Sequence, residues 1–292
     1  MVAVPLPGHR ARGQSSAARL TRGHRNGPAQ STRDTLPSDA EARRPCPPAA
    51  LGSPVHLTEH LVQVAGPGIT HEWDAAAYLL LGDHPTLLDC GSAAGYPALS
   101  GHLNALGVAP ARLRRVLATH GHWDHVSGMA RIQAQADTEF ALHAADRFAV
   151  ESGDALLTAA APLYGEVFPP VRVDTELHDG QHWADARWTV DVLHTPGHTP
   201  GSVSFVVAID GRRILVAGDT LWGGFSVDGG SNLADWRVSL DRLCGLEIDA
   251  LTFGHGVRRL VPDATERLLE ARRRFGVLLD PWHKPEYLDF RY

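Results

Sequence analysis

The stretch His120-Gly121-His122-Trp123-Asp124-His125 carries four side chains that can bind a metal within six residues. It follows an apolar run over 116–118, which predicts a buried strand that ends just before it. Apolar residues after it, over 126–132, keep the spacing of a helix. The four side chains are therefore predicted to lie where the chain leaves a strand and enters a helix.

The spacing of these side chains suits two neighbouring metal positions. Side chains at alternating positions of an extended loop point the same way, so His120 and His122 can share one metal. Asp124 and His125 lie at the turn into the predicted helix and would face a second position. Imidazole and carboxylate together suit zinc, iron or manganese.

Three later segments each deliver one more side chain of the same kind. Prolines and glycines on both sides of His198 predict a tight turn with this histidine at its centre. The apolar run 214–218 predicts a strand that ends at Asp219. A further apolar run, 250–253, is followed at once by Gly-His, which places His255 at the end of a strand. Ligands collected on loops at one edge of a sheet are a common way to build a site.

In this order, the motifs resemble those of the metallo-β-lactamase-fold hydrolase superfamily, and most of all its glyoxalase II and lactonase-like branch. The shared features are H-x-H-x-D-H, a later T-P-G-H-T turn, an Asp after a strand and a terminal Gly-His. The resemblance covers about residues 57–262. It implies an α/β (α+β) fold, a four-layer αββα metallo-β-lactamase-type sandwich, with the metals at one edge.

The resemblance also implies how the ligands divide between two metals. One metal takes three histidines and the other takes a mixed set, with Asp219 bridging both. The first set is His120, His122 and His198, and the second is Asp124, His125 and His255. Asp89, at the end of a predicted strand, is expected to hold the remaining N–H of a ligand histidine. Asp124 and Asp219 are the expected catalytic carboxylates.

The expected cofactor is two Zn²⁺ ions per chain, with iron or manganese as alternatives. Two metals about 3.5–4 Å apart can hold a shared hydroxide and polarise a substrate oxygen together. Bound water then ionises near neutral pH, which removes the need for a strong protein base. Because the chain carries no nucleophile motif such as G-x-S-x-G, we expect the bridging hydroxide to attack an ester-like bond.

Several reactions fit such a site. Cleavage of a lactone or thioester is favoured, because lactonases of this superfamily end soon after the last histidine and 37 residues follow His255. A true β-lactamase is disfavoured by Asp219, since those enzymes usually place Cys, Ser or no ligand there. The alternative is a mononuclear iron persulfide dioxygenase, which loads only the site of His120, His122, His198 and Asp219. A phosphodiesterase is a weaker alternative.

Two loops are expected to form the substrate pocket. The first is rich in Gly and Pro, and it offers Trp73 or Ile69 as an apolar lid and His71 for a hydrogen bond to a carbonyl. The second follows the bridging aspartate directly, and its Trp222 and Phe225 are expected to form the opposite wall. Ordinary packing is the alternative for these two aromatic residues.

Residues 1–54 differ from the rest of the 292-residue chain. They are rich in Arg, Pro, Ser, Gly and Ala without periodicity, which predicts a disordered Arg/Pro-rich tail before a metallo-hydrolase domain over 55–292. The tail has a charge of +5 and the domain −11, which combine to a net charge of −6. Because an acidic body repels phosphate backbones, a nucleic-acid partner is not expected.

Other features favour a cytoplasmic protein that acts on a small molecule. Three cysteines without paired spacing argue against structural disulfides and fit a reducing compartment. No apolar segment typical of a secretory signal precedes residue 55, and no stretch is long enough to span a bilayer. An Arg-rich transit peptide and any oligomeric state are left open by the sequence.

Apolar periodicity predicts further elements around these motifs. The predicted strands are 61–64, 76–81, 86–89, 139–143, 188–193, 203–209, 214–217 and 250–253. The predicted helices are 98–106, 233–243 and 263–275. Strands that pair in sheets, with helices packed outside, favour the same layered sandwich.

Overall fold

The computed structural model describes residues 51–221, 223–256 and 258–275, which form thirteen strands and six α-helices. The strands are β1 (Val55–His56), β2 (Leu61–Ala65), β3 (Ala77–Leu80), β4 (Thr86–Leu88), β5 (Arg115–Leu117), β6 (Glu139–His143), β7 (Thr175–Leu177), β8 (His182–Ala184), β9 (Trp188–His194), β10 (Val203–Ile209), β11 (Arg212–Val216), β12 (Ala250–Thr252) and β13 (Val261–Pro262). The helices are α1 (Tyr96–Ala105), α2 (Trp123–Val126), α3 (Met129–Gln133), α4 (Ala144–Ser152), α5 (Leu233–Cys244) and α6 (Ala264–Arg274).

The first sheet has seven strands in the order β1 to β7. Strands β1 to β4 pair antiparallel. Strands β4 to β7 pair parallel. Parallel neighbours need a crossover, and α1 to α4 lie in the connections between them.

The second sheet has six strands in the order β13-β12-β11-β10-β9-β8. Strands β9 and β11 both run antiparallel to β10, and β12 runs parallel to β11 after the crossover through α5. The carboxyl ends of β9, β11 and β12 therefore lie at one edge of this sheet.

Side chains alternate between the two faces of each sheet, and each face packs in a different hydrophobic cluster. In the first sheet, Val116 and Phe140 pack on the side of α1 to α4, whereas Leu117 faces the other sheet and packs in one cluster with Phe205. On the outer face of the second sheet, Leu215 packs with α5 and α6. The layers run helix, sheet, sheet, helix, which confirms the predicted four-layer α/β sandwich.

Most predicted elements are present, with ends that differ by one or two residues. The helical run predicted over 126–132 is instead split into α2 and α3 at Ser127 and Gly128. The Gly128 N–H donates to the Gly91 carbonyl oxygen at 3.0 Å, and a Cβ at Gly128 would lie only 2.8 Å from the carbonyl oxygen of Cys90. The loop after β4 thus crosses the helical segment where only glycine leaves room for it.

Only the last four residues of the predicted tail, 51–54, are among the described residues. There, the Gly52 N–H donates to the Gly68 carbonyl oxygen at 2.9 Å. Residues 1–50 lie outside the described residues, so the tail over 1–54 stays a prediction.

Candidate metal centre

Strand ends carry the candidate ligands to one place. Asp89 and the stretch that begins at His120 follow the parallel strands β4 and β5. His198 lies in the turn after β9, Asp219 follows β11 and His255 follows β12. These carboxyl ends share an edge within each sheet, and the two sheets face each other across a common core.

Three histidines form a first group, the three-histidine cluster, made of His120, His122 and His198. His198 Nε2 lies 2.9 Å from His122 Nδ1. The three rings meet nearly at right angles, with interplanar angles of 81–87° and centroids 4.5–4.7 Å apart. Rings that point their nitrogens at a common centre, rather than stack, are typical of imidazoles around one cation.

A carboxylate and two histidines form a second group, the mixed cluster, made of Asp124, His125 and His255. The Asp124 carboxylate lies 3.4 Å from His255 Nε2 and 3.7 Å from His125 Nε2. Asp124 and His125 lie in α2 and are buried, whereas His255 is partly exposed. The mixed cluster therefore lies nearer to solvent on its His255 side.

Asp219 lies between the two clusters. One of its carboxylate oxygens is 3.3 Å from His125 Nε2, and the other is 3.3 Å from His255 Nε2 and 3.5 Å from His198 Nε2. Gly254 permits this approach, because a Cβ there would collide with the Asp219 carboxylate. This placement between both clusters is the one expected of a bridging ligand.

The buried atoms that face this centre have no other partner. His120 Nε2, His125 Nε2 and Asp219 Oδ1 are buried without a hydrogen bond. Leaving a buried polar atom unsatisfied is costly, and each such atom in a native protein needs an explanation. Nitrogen and carboxylate donors that converge in this way fit zinc or a similar divalent cation.

The electrostatics favour the protonation states that bind a metal. Burial lowers the pKa of His120 and His122 well below the ordinary value, and neighbouring histidines lower it further. Burial also lowers the pKa of His198. These imidazoles are therefore neutral at physiological pH, as metal ligands must be.

Around the mixed cluster, the charge of Asp219 and the charges of the nearby histidines oppose the effect of burial on each other's pKa. Burial alone would raise the pKa of Asp219, but His255 and His125 hold it well below the ordinary value. Burial alone would lower the pKa of both histidines, but the charge of Asp219 raises it in each. Asp219 and the two imidazoles therefore stabilise each other's charged forms, and a bound cation would take over the role of the imidazole protons.

The outer nitrogens of three histidines have partners that orient their rings. His125 Nδ1 lies 2.9 Å from Asp89 Oδ2, as the role proposed for Asp89 requires. His120 Nδ1 lies 3.1 Å from the Thr119 hydroxyl, and His198 Nδ1 donates to the Gly224 carbonyl oxygen at 2.8 Å. Such contacts fix which nitrogen faces the metal.

The predicted pocket residues have different surroundings. Trp73 is 42% exposed and packs edge-on against His71, with ring centroids 5.6 Å apart. Phe225 is 36% exposed, and Trp222 lies outside the described residues. Ile69 is fully buried, so the prediction of this residue as a lid is wrong. The apolar side chain of the loop turns into the core instead.

Sequence patterns missed Tyr164, which ends a π-helical turn over Ala160–Tyr164 between α4 and β7. Its ring stacks on Trp123 at 4.8 Å between centroids and lies 5.8 Å from that of Trp73. Burial and the carboxylates of Asp124 and Asp219 raise the pKa of its hydroxyl. Tyr164 thus lies between the exposed Trp73 and the Asp124 of the mixed cluster. No sequence motif around Tyr164 could have identified it.

No helix within the described residues is long and apolar enough to cross a membrane.

Known proteins share the motifs and the fold. A family model described as the metallo-beta-lactamase superfamily matches residues 72–255, well over half of the chain.

Individual relatives agree with this match. The chain is 33% identical over 132 residues to an uncharacterised protein of Aquifex aeolicus, which covers 44% of this chain and 60% of that one. It is 30% identical over 193 residues to a hydroxyacylglutathione hydrolase of Methylococcus capsulatus, covering 65% of this chain and 62% of the relative. The chain thus spans a little under two thirds of either protein.

Solved structures show the same architecture. A metallo-beta-lactamase of Cronobacter sakazakii, a mutant of its HARLDQ motif, superimposes with a TM-score of 0.66 at 23% identity. The superposition covers 77% of this chain and 95% of that one. Given the residues matched by the family model and the two facing sheets, the chain belongs to the metallo-beta-lactamase superfamily.

Proposed function

We propose that the chain is a metal-dependent hydrolase that binds two zinc ions and cleaves an ester-like bond, a lactone or a thioester, in a small molecule. The observation that carries this proposal is the mixed cluster, which is complete and lies directly beside the three-histidine cluster. The convergence of Asp124, His125 and His255 supports a second metal position beside the first. When bound, two such cations supply the attacking oxygen from water and polarise the carbonyl group.

In this proposal the chain's own residues hold and orient the reacting groups. The three-histidine cluster holds one cation, the mixed cluster holds the other, and Asp219 lies within 3.5 Å of an imidazole from each. In addition to its ligand role, Asp124, 3.4 Å from the partly exposed His255, would accept a proton from the reacting water or return it to the leaving group.

An ester-like substrate is supported by the surroundings of the site. The relative named as a hydroxyacylglutathione hydrolase acts, by its name, on an acylated glutathione. The aromatic rings of Trp73 and Tyr164 on the side of the mixed cluster suit an apolar part of a small substrate. Within the described residues, Cys90 and Cys244 are free thiols, which supports the cytoplasm as the compartment.

The reaction can be tested with purified wild-type protein on a panel of lactones and thioesters, beside oxygen consumption with glutathione persulfide. We expect hydrolysis without oxygen uptake. Asp219→Ala should lower kcat/KM about 10²-fold or more, because several kcal/mol of charge stabilisation is lost with the cations.

The matched control is Asp235→Asn, which changes an exposed carboxylate on α5 and should retain full activity. Oxygen consumption by the wild type, without hydrolysis of any ester-like bond, would replace this proposal with the iron dioxygenase reaction.

A further inference from the structure

Asp146 is a buried carboxylate that belongs to neither metal-binding cluster. It lies in the first turn of α4, is 4% exposed, and has no ligand role in the proposed function. A charge buried in this way needs compensating hydrogen bonds. The residues that supply them connect Asp146 to the metal centre.

Both of its oxygens accept hydrogen bonds from loops that carry histidines. Asp146 Oδ2 accepts from the Gly121 N–H at 3.0 Å and from the Thr199 hydroxyl at 2.7 Å. Asp146 Oδ1 accepts from the Gly201 N–H at 2.8 Å. Gly121 lies between His120 and His122, and Thr199 directly follows His198. One side chain therefore joins the two loops that supply the three-histidine cluster.

Both loops lie unusually close to this carboxylate. A Cβ at Gly201 would lie 2.5 Å from Asp146 Cγ, and a Cβ at Gly121 would lie 3.2 Å from Asp146 Cβ. Glycine at both positions lets the backbone reach the carboxylate directly. Hydrogen bonds to an ionised acceptor are roughly twice as strong as those between neutral groups. The contact therefore sets the distance between the two loops more firmly than packing alone would.

We propose that Asp146 is a positioning residue, which holds the loop of His120 and His122 against the loop of His198 so that the three imidazoles face one metal before it arrives. The inference rests on the proposed metal centre and adds a residue outside the ligand set to it. His122 follows a strand of the first sheet and His198 follows a strand of the second, so the pairing of strands within one sheet does not fix the distance between them. The Val203 N–H donates to the Thr119 carbonyl oxygen at the base of the two loops, and Asp146, on a helix packed against the first sheet, links the loops beside the histidines themselves.

A residue that merely supported the fold would affect stability but leave metal affinity unchanged. Asp74 provides the matched control, because it is another buried carboxylate that accepts hydrogen bonds from loops. It accepts from the Ser92 N–H at 2.9 Å, from the Ser92 hydroxyl and from the Thr70 hydroxyl at 2.5 Å. None of these donors lies in a loop that carries the three-histidine cluster.

The test compares Asp146→Asn, Asp74→Asn and the wild type. Each protein is stripped of metal and titrated with Co²⁺, with the affinity of each equivalent measured by chelator competition and the ligand geometry by absorption. We expect Asp146→Asn to weaken at least one equivalent about 10-fold or more and to change its absorption bands, as loss of a residue that orients ligands does. Asp74→Asn should remain within about threefold of the wild type for both equivalents.

An Asp146→Asn protein with wild-type affinities and absorption would overturn the inference and leave Asp146 as a support of the fold. If this variant does not fold, Thr199→Val removes one of the three hydrogen bonds at nearly constant size, and unchanged affinity in it would overturn the inference equally. A wild type that binds no cobalt would instead refute the proposed function.

Discussion

At the scale of single residues, Asp219 shows how small neighbours make a functional side chain possible. Gly218 before it has a φ of +51°, in the left-handed region that favours glycine. Gly254 passes so close to the Asp219 carboxylate that no Cβ would fit. The glycines of the Ala-Gly-Asp and Gly-His sequences are therefore needed for two reasons. Gly218 adopts a left-handed backbone conformation, and Gly254 leaves room for the Asp219 carboxylate.

The aromatic residues near the mixed cluster carry a prediction about specificity. Trp73→Ala removes an exposed apolar surface, and Tyr164→Phe removes a hydroxyl beside the carboxylates of Asp124 and Asp219. Both variants should change the relative kcat/KM values across lactones and thioesters by about 10–200-fold, the range expected for lost pocket contacts. Metal content should stay that of the wild type, because neither side chain belongs to a cluster.

Leu269→Ala is the control for this experiment, since it removes an exposed apolar side chain on α6. If Trp73→Ala and Tyr164→Phe show the same order of kcat/KM values across the substrates as the control does, both aromatic residues serve only in packing and the pocket lies elsewhere.

Residues of the site differ in how far the sequence could predict them. The candidate ligands stand in short motifs at strand ends, so their convergence could be anticipated from local patterns. Asp146 and Tyr164 are isolated in the sequence, and their partners lie far along the chain, such as Thr199 for Asp146 and Asp124 for Tyr164. Only the packing of α4 and of the following turn brings them to the centre.

At the scale of elements, strands with adjacent aliphatic residues could be predicted, even three-residue ones such as β4 and β12, whereas β7 and β8 could not. β10 has the predicted bounds, because its seven residues are almost all apolar and β-branched or aromatic. β7 (Thr-Glu-Leu) and β8 (His-Trp-Ala) have three residues each, and neither contains two adjacent aliphatic residues. Helix α4 was missed because three of its five apolar residues are alanines, and because it begins directly at the end of β6.

A pair of histidines at the ends of β6 and β9 predicts a pH dependence of stability. His143 and His194 stack with ring centroids 4.0 Å apart. Burial and the nearby His194 and His178 together lower the pKa of His143 to about 4, against a smaller opposing effect of Glu176. As pH falls from about 6.5 to 4, the unfolded chain takes up this proton first, so stability present above pH 6.5 is lost in that window.

His143→Asn should reduce this loss by about 1–2 kcal/mol in the metal-free protein, a value discounted because the ring is only half-buried. Asparagine retains an acceptor for the Ala145 N–H, so the helix cap is preserved. Chemical denaturation at pH 7 and pH 4.5 measures the difference. The exposed His56→Asn is the control, and an identical pH slope in wild type and His143→Asn would contradict the assignment.

At the scale of the whole molecule, the site exists because two sheets present their ligand-bearing edges to each other. Neither sheet carries a complete cluster: His120 and His122 follow the first, while His198, Asp219 and His255 follow the second. The sequence could predict both sets of strand ends, but the pairing of the two sheets followed from the resemblance to a known fold. The apolar cluster between the sheets, which includes Phe205, fixes that pairing.

If both clusters hold a metal at once, protein purified without added metal should carry one ion in each of them. Elemental analysis should give two equivalents of zinc per chain for the wild type. His255→Ala disables only the mixed cluster and should leave about one equivalent, whereas the exposed control His56→Ala should keep two. One equivalent in the wild type, unchanged by His255→Ala, would show that the mixed cluster binds no metal.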